Sequence, residues 1–187
     1  MAAIPEGPFR ALEPRFTIDR VILDTDARRA VDDVLWQVRE GRFLLEEWEM
    51  GNLLEKGRGV IVLFSGLPGT GKTMTAEAMA GSLGKKLLIA DYAQLESKWI
   101  GETEKNIVSV FKMAAEFDAV LLIDEADAIL AGRLDGNHYN DRAYNRQVSL
   151  LLQELENFDG LCVLTTNREM SLDEGLARRI SASITFG

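Results

Sequence analysis

Val60-Ile61-Val62-Leu63-Phe64-Ser65-Gly66-Leu67-Pro68-Gly69-Thr70-Gly71-Lys72-Thr73 is an apolar strand running into a glycine-rich loop that opens a helix. Gly66, Gly71, Lys72 and Thr73 satisfy the spacing G-x-x-x-x-G-K-[ST] in full. Glycines lack Cβ, so successive backbone N–H groups can curl around phosphate oxygens, and the helix N-terminus behind them adds a positive dipole end. Pro68, Gly69 and Thr70 complete the loop. Lys72 is suited to neutralise the β- and γ-phosphates as a point charge, and the Thr73 hydroxyl to complete a Mg²⁺ shell. An incidental lysine in a glycine turn would not need the strand before it and the helix-forming Thr75-Ala76-Glu77-Ala78-Met79-Ala80 after it. The stretch predicts a site for a nucleoside triphosphate.

Working outward, 187 residues suffice for one large domain with a single core. The longest apolar runs, Val60–Phe64 and Ala119–Ile123, are too short to cross a bilayer, and the N-terminus lacks a basic-then-apolar leader pattern. A cytoplasmic protein is expected. Cys162, the single cysteine, lies within Leu161-Cys162-Val163-Leu164 and reads as a buried, inert thiol. A net charge of −9 argues against a nucleic-acid coat, which needs a basic surface. His138 is the only histidine, so histidine metal sites and a Ser-His-Asp triad have no material.

Residues 1–20 hold three of the four prolines and no sustained periodicity. They predict an extended N-terminal arm or linker, with the nucleotide-binding unit spanning 21–187. Asp24-Thr25-Asp26 offers a helix start, and Ala27, Val31, Val34, Leu35 and Val38 follow on one helical face. Gly41 is expected to break that helix, with Phe43–Trp48 resuming it. Further strands are predicted at Lys86–Ala90, Ala119–Ile123, Leu161–Thr165 and Ser183–Phe186. The helices between them run from the phosphate loop to Leu83 (stopped by Gly84), over Thr103–Glu116, and to Asn157. Strands alternating with helices predict an α/β fold with a mostly parallel sheet.

A second carboxylate site stands at Val120-Leu121-Leu122-Ile123-Asp124-Glu125. An apolar strand ending in acids puts them at the carboxyl edge of the sheet, where open α/β sheets bind ligands. Asp124 is placed to hold Mg²⁺ through its water shell, and Glu125 to act as general base on the attacking water. Adjacent strand residues face opposite ways, which would let the pair divide these tasks. Asp127 reads as a capping or packing residue.

Gly66–Thr73, Val120–Asp127, Thr165-Thr166-Asn167-Arg168 and Leu172-Asp173-Glu174-Gly175-Leu176-Ala177-Arg178-Arg179 resemble, in order and spacing, the AAA+ ATPases. More narrowly they are similar to the classical AAA subfamily, with its second region of homology. Glu96-Ser97-Lys98-Trp99-Ile100-Gly101-Glu102 resembles the first pore loop of katanin-like and related protein-remodelling members. Trp48-Glu49-Met50-Gly51 and Asp141-Arg142-Ala143-Tyr144-Asn145 resemble prokaryotic AAA proteins. The resemblance covers about residues 17–187. It implies a three-layer α-β-α P-loop NTPase with a five-stranded sheet in the order 5-1-4-3-2, ATP with Mg²⁺ as cofactors, and a homo-oligomeric ring, usually a hexamer. Asn167 would then be sensor 1, orienting the lytic water or reading the γ-phosphate. Arg178 and Arg179 would be arginine fingers reaching a neighbouring subunit's nucleotide. Lys98, Trp99 and Ile100 would grip a protein substrate in the central pore, and Ile22 or its neighbours would contact adenine.

The resemblance has departures. Leu67 occupies a variable loop position where proline is usual, and the arginine pair lacks the longer glycine-arginine-phenylalanine form. The chain stops at Gly187, where the family continues into a helical lid. This implies a truncated fragment with weak nucleotide affinity, monomeric behaviour and little turnover. The leading expectation is an ATP-hydrolysing motor core that remodels, unfolds or disassembles proteins. The alternative is a nucleotide-gated assembly or loading factor that threads nothing. A small-molecule kinase would not need Asn167 or the arginine pair, and a degenerate structural ATPase would not keep Lys72, Asp124 and Glu125.

Overall fold

A computed structural model describes residues 9–47, 59–95, 102–130, 139–167 and 174–187. Within them β2 (Val60–Gly66), β3 (Leu87–Asp91), β4 (Val120–Asp124), β5 (Leu161–Thr166) and β6 (Ala182–Phe186) form one parallel sheet. A short strand, β1 (Arg10–Leu12), joins it antiparallel to β3. The order across the sheet is β1-β3-β4-β5-β2-β6. Read from the far edge, this is the expected 5-1-4-3-2 with a sixth strand added beside the last. The five-strand expectation is therefore corrected: part of the arm belongs to the sheet. Three residues without alternation carry too little pattern to announce a strand, and its partner lies far along the chain.

Strands β2, β4 and β5 are apolar over 60–64, 120–123 and 161–164 because both faces are covered, whereas β6 at the edge alternates, with Ser183 and Thr185 exposed. Ile61, Leu63, Leu121, Ile123, Cys162 and Leu164 point to one side and pack on α4 (Glu102–Glu116) and α6 (Tyr139–Asn157) through Ile107, Val110, Phe111, Val148, Leu151 and Leu155. Val60, Val62, Phe64, Val120, Leu122 and Val163 point to the other, against α1 (Thr25–Glu47) and α2 (Lys72–Ser82). Three layers result. Cys162 is buried, and desolvation pushes its thiol far up, so it stays protonated and inert as expected.

Helix α1 begins where expected, with Asp24 Oδ1 accepting the N–H groups of Asp26 and Ala27 at 3.0 and 2.8 Å. It does not break at Gly41 but runs through to Glu47. A helical glycine costs only about 1 kcal/mol relative to alanine, which a long helix packed on a sheet absorbs. Gly84, at φ +67°, follows the end of α2 as predicted.

The arm crosses the outer side of α2. Arg15 pairs with the buried Glu77 carboxylate through Nε at 2.9 Å and a second nitrogen at 3.1 Å. Those hydrogen bonds hold the Glu77 pKa below the ordinary carboxylate value. The Ile18 N–H donates to Ser82 Oγ at 2.9 Å. Gly81 lets the arm lie this close, because a Cβ there would stand 2.2 Å from the Phe16 carbonyl oxygen. Two effects compete at Gly81→Ala. Helix propensity favours alanine by about 1 kcal/mol, while the contact is with backbone and cannot be relieved by a rotamer change. We predict that the contact dominates and that unfolding free energy falls by about 1–3 kcal/mol. Urea titration of Gly81→Ala tests this; a more stable variant would show that the arm yields freely.

Candidate nucleotide site

The loop after β2 turns on glycines at φ +142° (Gly66), +81° (Gly69) and +100° (Gly71). Gly69 and Gly71 face open space on the side a Cβ would occupy, whereas a Cβ on Gly66 would stand 2.2 Å from the Phe186 carbonyl oxygen. The loop is thus anchored at its root and open at its bowl. Leu67, Pro68 and Gly69 are exposed, and the Thr70 hydroxyl ties the loop by donating to the Leu67 carbonyl at 2.8 Å. Helix α2 starts directly behind it with no side-chain cap from Gly71, so its first N–H groups are turned toward the bowl. Lys72 lies along the inside, its Nζ donating to the carbonyls of Gly66 at 2.7 Å and Leu67 at 2.9 Å. Burial lowers its pKa, against the opposing pull of Asp124 and Asp127.

At the end of β4, Asp124 Oδ2 stands 3.5 Å from Thr73 Oγ1. The register places Asp124 beside Asp91 of β3 and Ile123 beside Leu164 of β5, so the carboxylate sits at the carboxyl edge predicted for it. A hydroxyl and a carboxylate facing one opening suit a hard cation that keeps most of its waters, as Mg²⁺ does. Thr73 and Asp124 are the residues that would hold it. Glu125 has left the strand: its φ is +55° and its side chain is exposed. The two carboxylates therefore divide their directions through a left-handed turn, not through strand alternation as the sequence suggested. Thr165 fastens that turn. Its Oγ1 donates to Asp124 Oδ1 and accepts the Glu125 N–H at 3.1 Å, while its carbonyl accepts the Ala126 N–H at 2.9 Å. Next door, the Thr166 hydroxyl donates to Asp127, the first residue of α5 (Asp127–Leu130). Asp127 is thus a local tie, as expected.

Asn167 follows Thr166, whose Cα partner is Ser65, so the structure brings it to the root of the phosphate loop. The arginines follow α7 (Glu174–Ala177) and differ from each other. Arg178 is exposed. Arg179 is held within the chain, donating to the Gly175 carbonyl at 2.6 Å and to Glu156 Oε2 of α6 at 3.2 Å. Ile22 is 98% exposed and packs on nothing in the described chain. Lys98, Trp99 and Ile100 lie outside the described residues, as do Arg168 and residues 171–173. No cluster of three or more metal-binding side chains occurs among the described residues.

Comparison with known proteins decides what this arrangement is. The family described as "ATPase family associated with various cellular activities (AAA)" matches residues 62–187. The chain belongs to the AAA family of ATPases. The match takes in the phosphate loop, Asp124 and Glu125, Asn167 and both arginines of this AAA domain. Among its relatives, "ATPase family AAA domain-containing protein FIGL1" of Arabidopsis thaliana is 34% identical over 95% of this chain and 28% of its own length. "Cell division protein C" of Sulfolobus acidocaldarius is 35% identical over 68% of the chain and 36% of its own length. "Proteasome-activating nucleotidase 2" of Haloferax volcanii is 37% identical over 63% and 30%. The AAA domain thus spans about a third of the curated relatives it matches. No helix among the described residues is long and apolar enough to cross a membrane.

Within Thr165-Thr166-Asn167-Arg168, the sequence alone assigns no role to Thr165. The signal was two hydroxyl side chains closing an apolar strand, Thr165-Thr166, where a wholly buried strand has no need of them.

Proposed function

We propose that the protein hydrolyses ATP at sites shared between the subunits of a ring, a hexamer by family resemblance, and uses the cycle to remodel, unfold or disassemble other proteins in the cytoplasm. The observation that carries the reading is the approach of Thr73 Oγ1 and Asp124 Oδ2 to 3.5 Å at the mouth of the phosphate loop. Thr73 and Asp124 would hold Mg²⁺ there, and the cation would neutralise charge developing on the phosphates. Lys72 exchanges the carbonyls of Gly66 and Leu67 for phosphate oxygens. The exposed Glu125 takes the proton of the attacking water, and Asn167 orients that water. Arg178, exposed beyond α7, reaches the neighbouring subunit's nucleotide.

The test of a shared site is ATP turnover against concentration of the full protein. Specific activity is expected to climb as subunits associate; constant activity down to concentrations where sedimentation finds only monomers would sink the shared site. Protein substrates are supported by the resemblance around Trp99 and by the likeness to a proteasome-activating nucleotidase. Trp99→Ala separates threading from switching. In a threading motor it should abolish substrate unfolding and leave basal ATP turnover within about twofold, as for a group outside the uniform binding of nucleotide. Unfolding that survives the substitution would favour an assembly or loading factor.

A further inference from the structure

We propose that Thr165 is a positioning residue that assigns separate tasks to Asp124 and Glu125. The inference rests on the ATPase reading above and adds a role that neither the motif nor the family match supplies. A threonine hydroxyl has one proton to give and lone pairs to receive. Here the proton goes to Asp124 Oδ1 and a lone pair takes the Glu125 N–H at 3.1 Å. The Glu125 N–H also lies 3.2 Å from Asp124 Oδ1. One oxygen of the carboxylate is thereby occupied, and the other, Oδ2, is the one turned toward Thr73 at 3.5 Å. Asp124 is left to offer the cation site a single, fixed oxygen.

The same hydroxyl holds the base. Glu125 sits at φ +55°, a region that a residue with a Cβ occupies only when its surroundings insist. What insists is a set of bonds from one residue: the hydroxyl on the Glu125 N–H, and the Thr165 carbonyl on the Ala126 N–H at 2.9 Å. Ala126 is fully buried and Thr165 is 1% exposed, so water cannot substitute for either contact. Without the hydroxyl, Asp124 can rotate to offer either oxygen and Glu125 loses the bond that fixes its direction. Groups that orient a metal ligand typically change metal affinity or activity by 10- to 100-fold when removed.

Thr165→Val keeps the shape and deletes the hydroxyl; Thr165→Ser keeps the hydroxyl and deletes the methyl. Both are compared with the wild-type full protein by binding of a fluorescent ATP analogue, with and without Mg²⁺, and by steady-state ATP turnover. In Thr165→Val the Mg²⁺ concentration for half-maximal stimulation of binding should rise about 10-fold or more, and kcat should fall about 10- to 100-fold. Binding without Mg²⁺ should stay within about threefold, the affinity for Mg·ATP should fall in step with the Mg²⁺ dependence, about 10-fold or more, and Thr165→Ser should recover the losses. Wild-type Mg²⁺ dependence and kcat in Thr165→Val overturn the inference. So does a Thr165→Ser variant as impaired as Thr165→Val, because the methyl and not the hydroxyl would then matter. Lys72→Ala and Glu125→Gln, measured alongside, keep the two levels apart. If they hydrolyse ATP like wild type, the ATPase reading itself has failed. If they are inactive and Thr165→Val is not, only the role of Thr165 has failed.

Discussion

Glu125→Gln in the full protein is expected to cut ATP turnover by about 10²–10⁴-fold, the range for losing a general base, while leaving ATP bound. The amide is isosteric and keeps the backbone N–H that Thr165 Oγ1 and Asp124 Oδ1 receive, so the turn at φ +55° survives. What disappears is the ability to take a proton. Nothing that holds phosphate is touched: the loop glycines, Lys72 and Thr73 stand on other elements, and Asp124, though adjacent, meets Glu125 through the backbone N–H that the amide keeps. Nucleotide should therefore accumulate on the protein in its triphosphate form, and any ring that ATP stabilises should persist. Filter retention of labelled ATP together with single-turnover kinetics checks both halves. Undiminished turnover would mean that another group takes the proton and that the assignment of Glu125 is wrong.

The largest effect is expected at Arg178. An arginine supplied in trans to a transferring phosphoryl group is worth about 10³–10⁵ in rate, and we predict a loss of that order for Arg178→Ala. The neighbouring arginine should behave differently. Arg179 is already spent on the Gly175 carbonyl and on Glu156 Oε2, so it holds the turn after α7 to the last turns of α6. Arg179→Ala should loosen that turn and show in thermal unfolding as well as in rate, whereas the loss in Arg178→Ala should be chiefly one of rate. Mixing makes the shared site visible: Arg178→Ala and Lys72→Ala subunits, each impaired alone, should regain activity when combined, because a mixed ring contains sites with Lys72 from one variant and Arg178 from the other. No recovery in mixed rings would mean that each subunit completes its own site.

The parts of the molecule legible in its sequence are those where one physical rule acts over consecutive residues. The apolar runs at 60–64, 120–123 and 161–164 had to be strands buried on both faces, and their bounds agree with the structure to within two residues. The spacing from Gly66 to Thr73 named the loop for the same reason. What escaped depends on residues distant in sequence. Arg10–Leu12 is a strand only because β3 lies beside it. Helix α1 passes Gly41 because a glycine's local cost is small against a continuous element. The left-handed turn at Glu125 is imposed by Thr165, and the fate of Arg179 is settled by Glu156, each across the fold. No window of neighbouring residues contains either pair.

The strand Arg10–Leu12 has a consequence for how the protein keeps company with unfolded chains. Without it, β3 would present the open edge of a parallel sheet, a row of backbone donors and acceptors able to recruit any extended polypeptide. With it, the row is answered by the chain's own arm, and what remains outermost is a strand of three residues, with Pro14 close behind it. Such a stub offers too few bonds to template further pairing. A machine proposed to handle loosened proteins thus carries a selvedge along this side, a finished border that keeps its cargo from being woven onto β3.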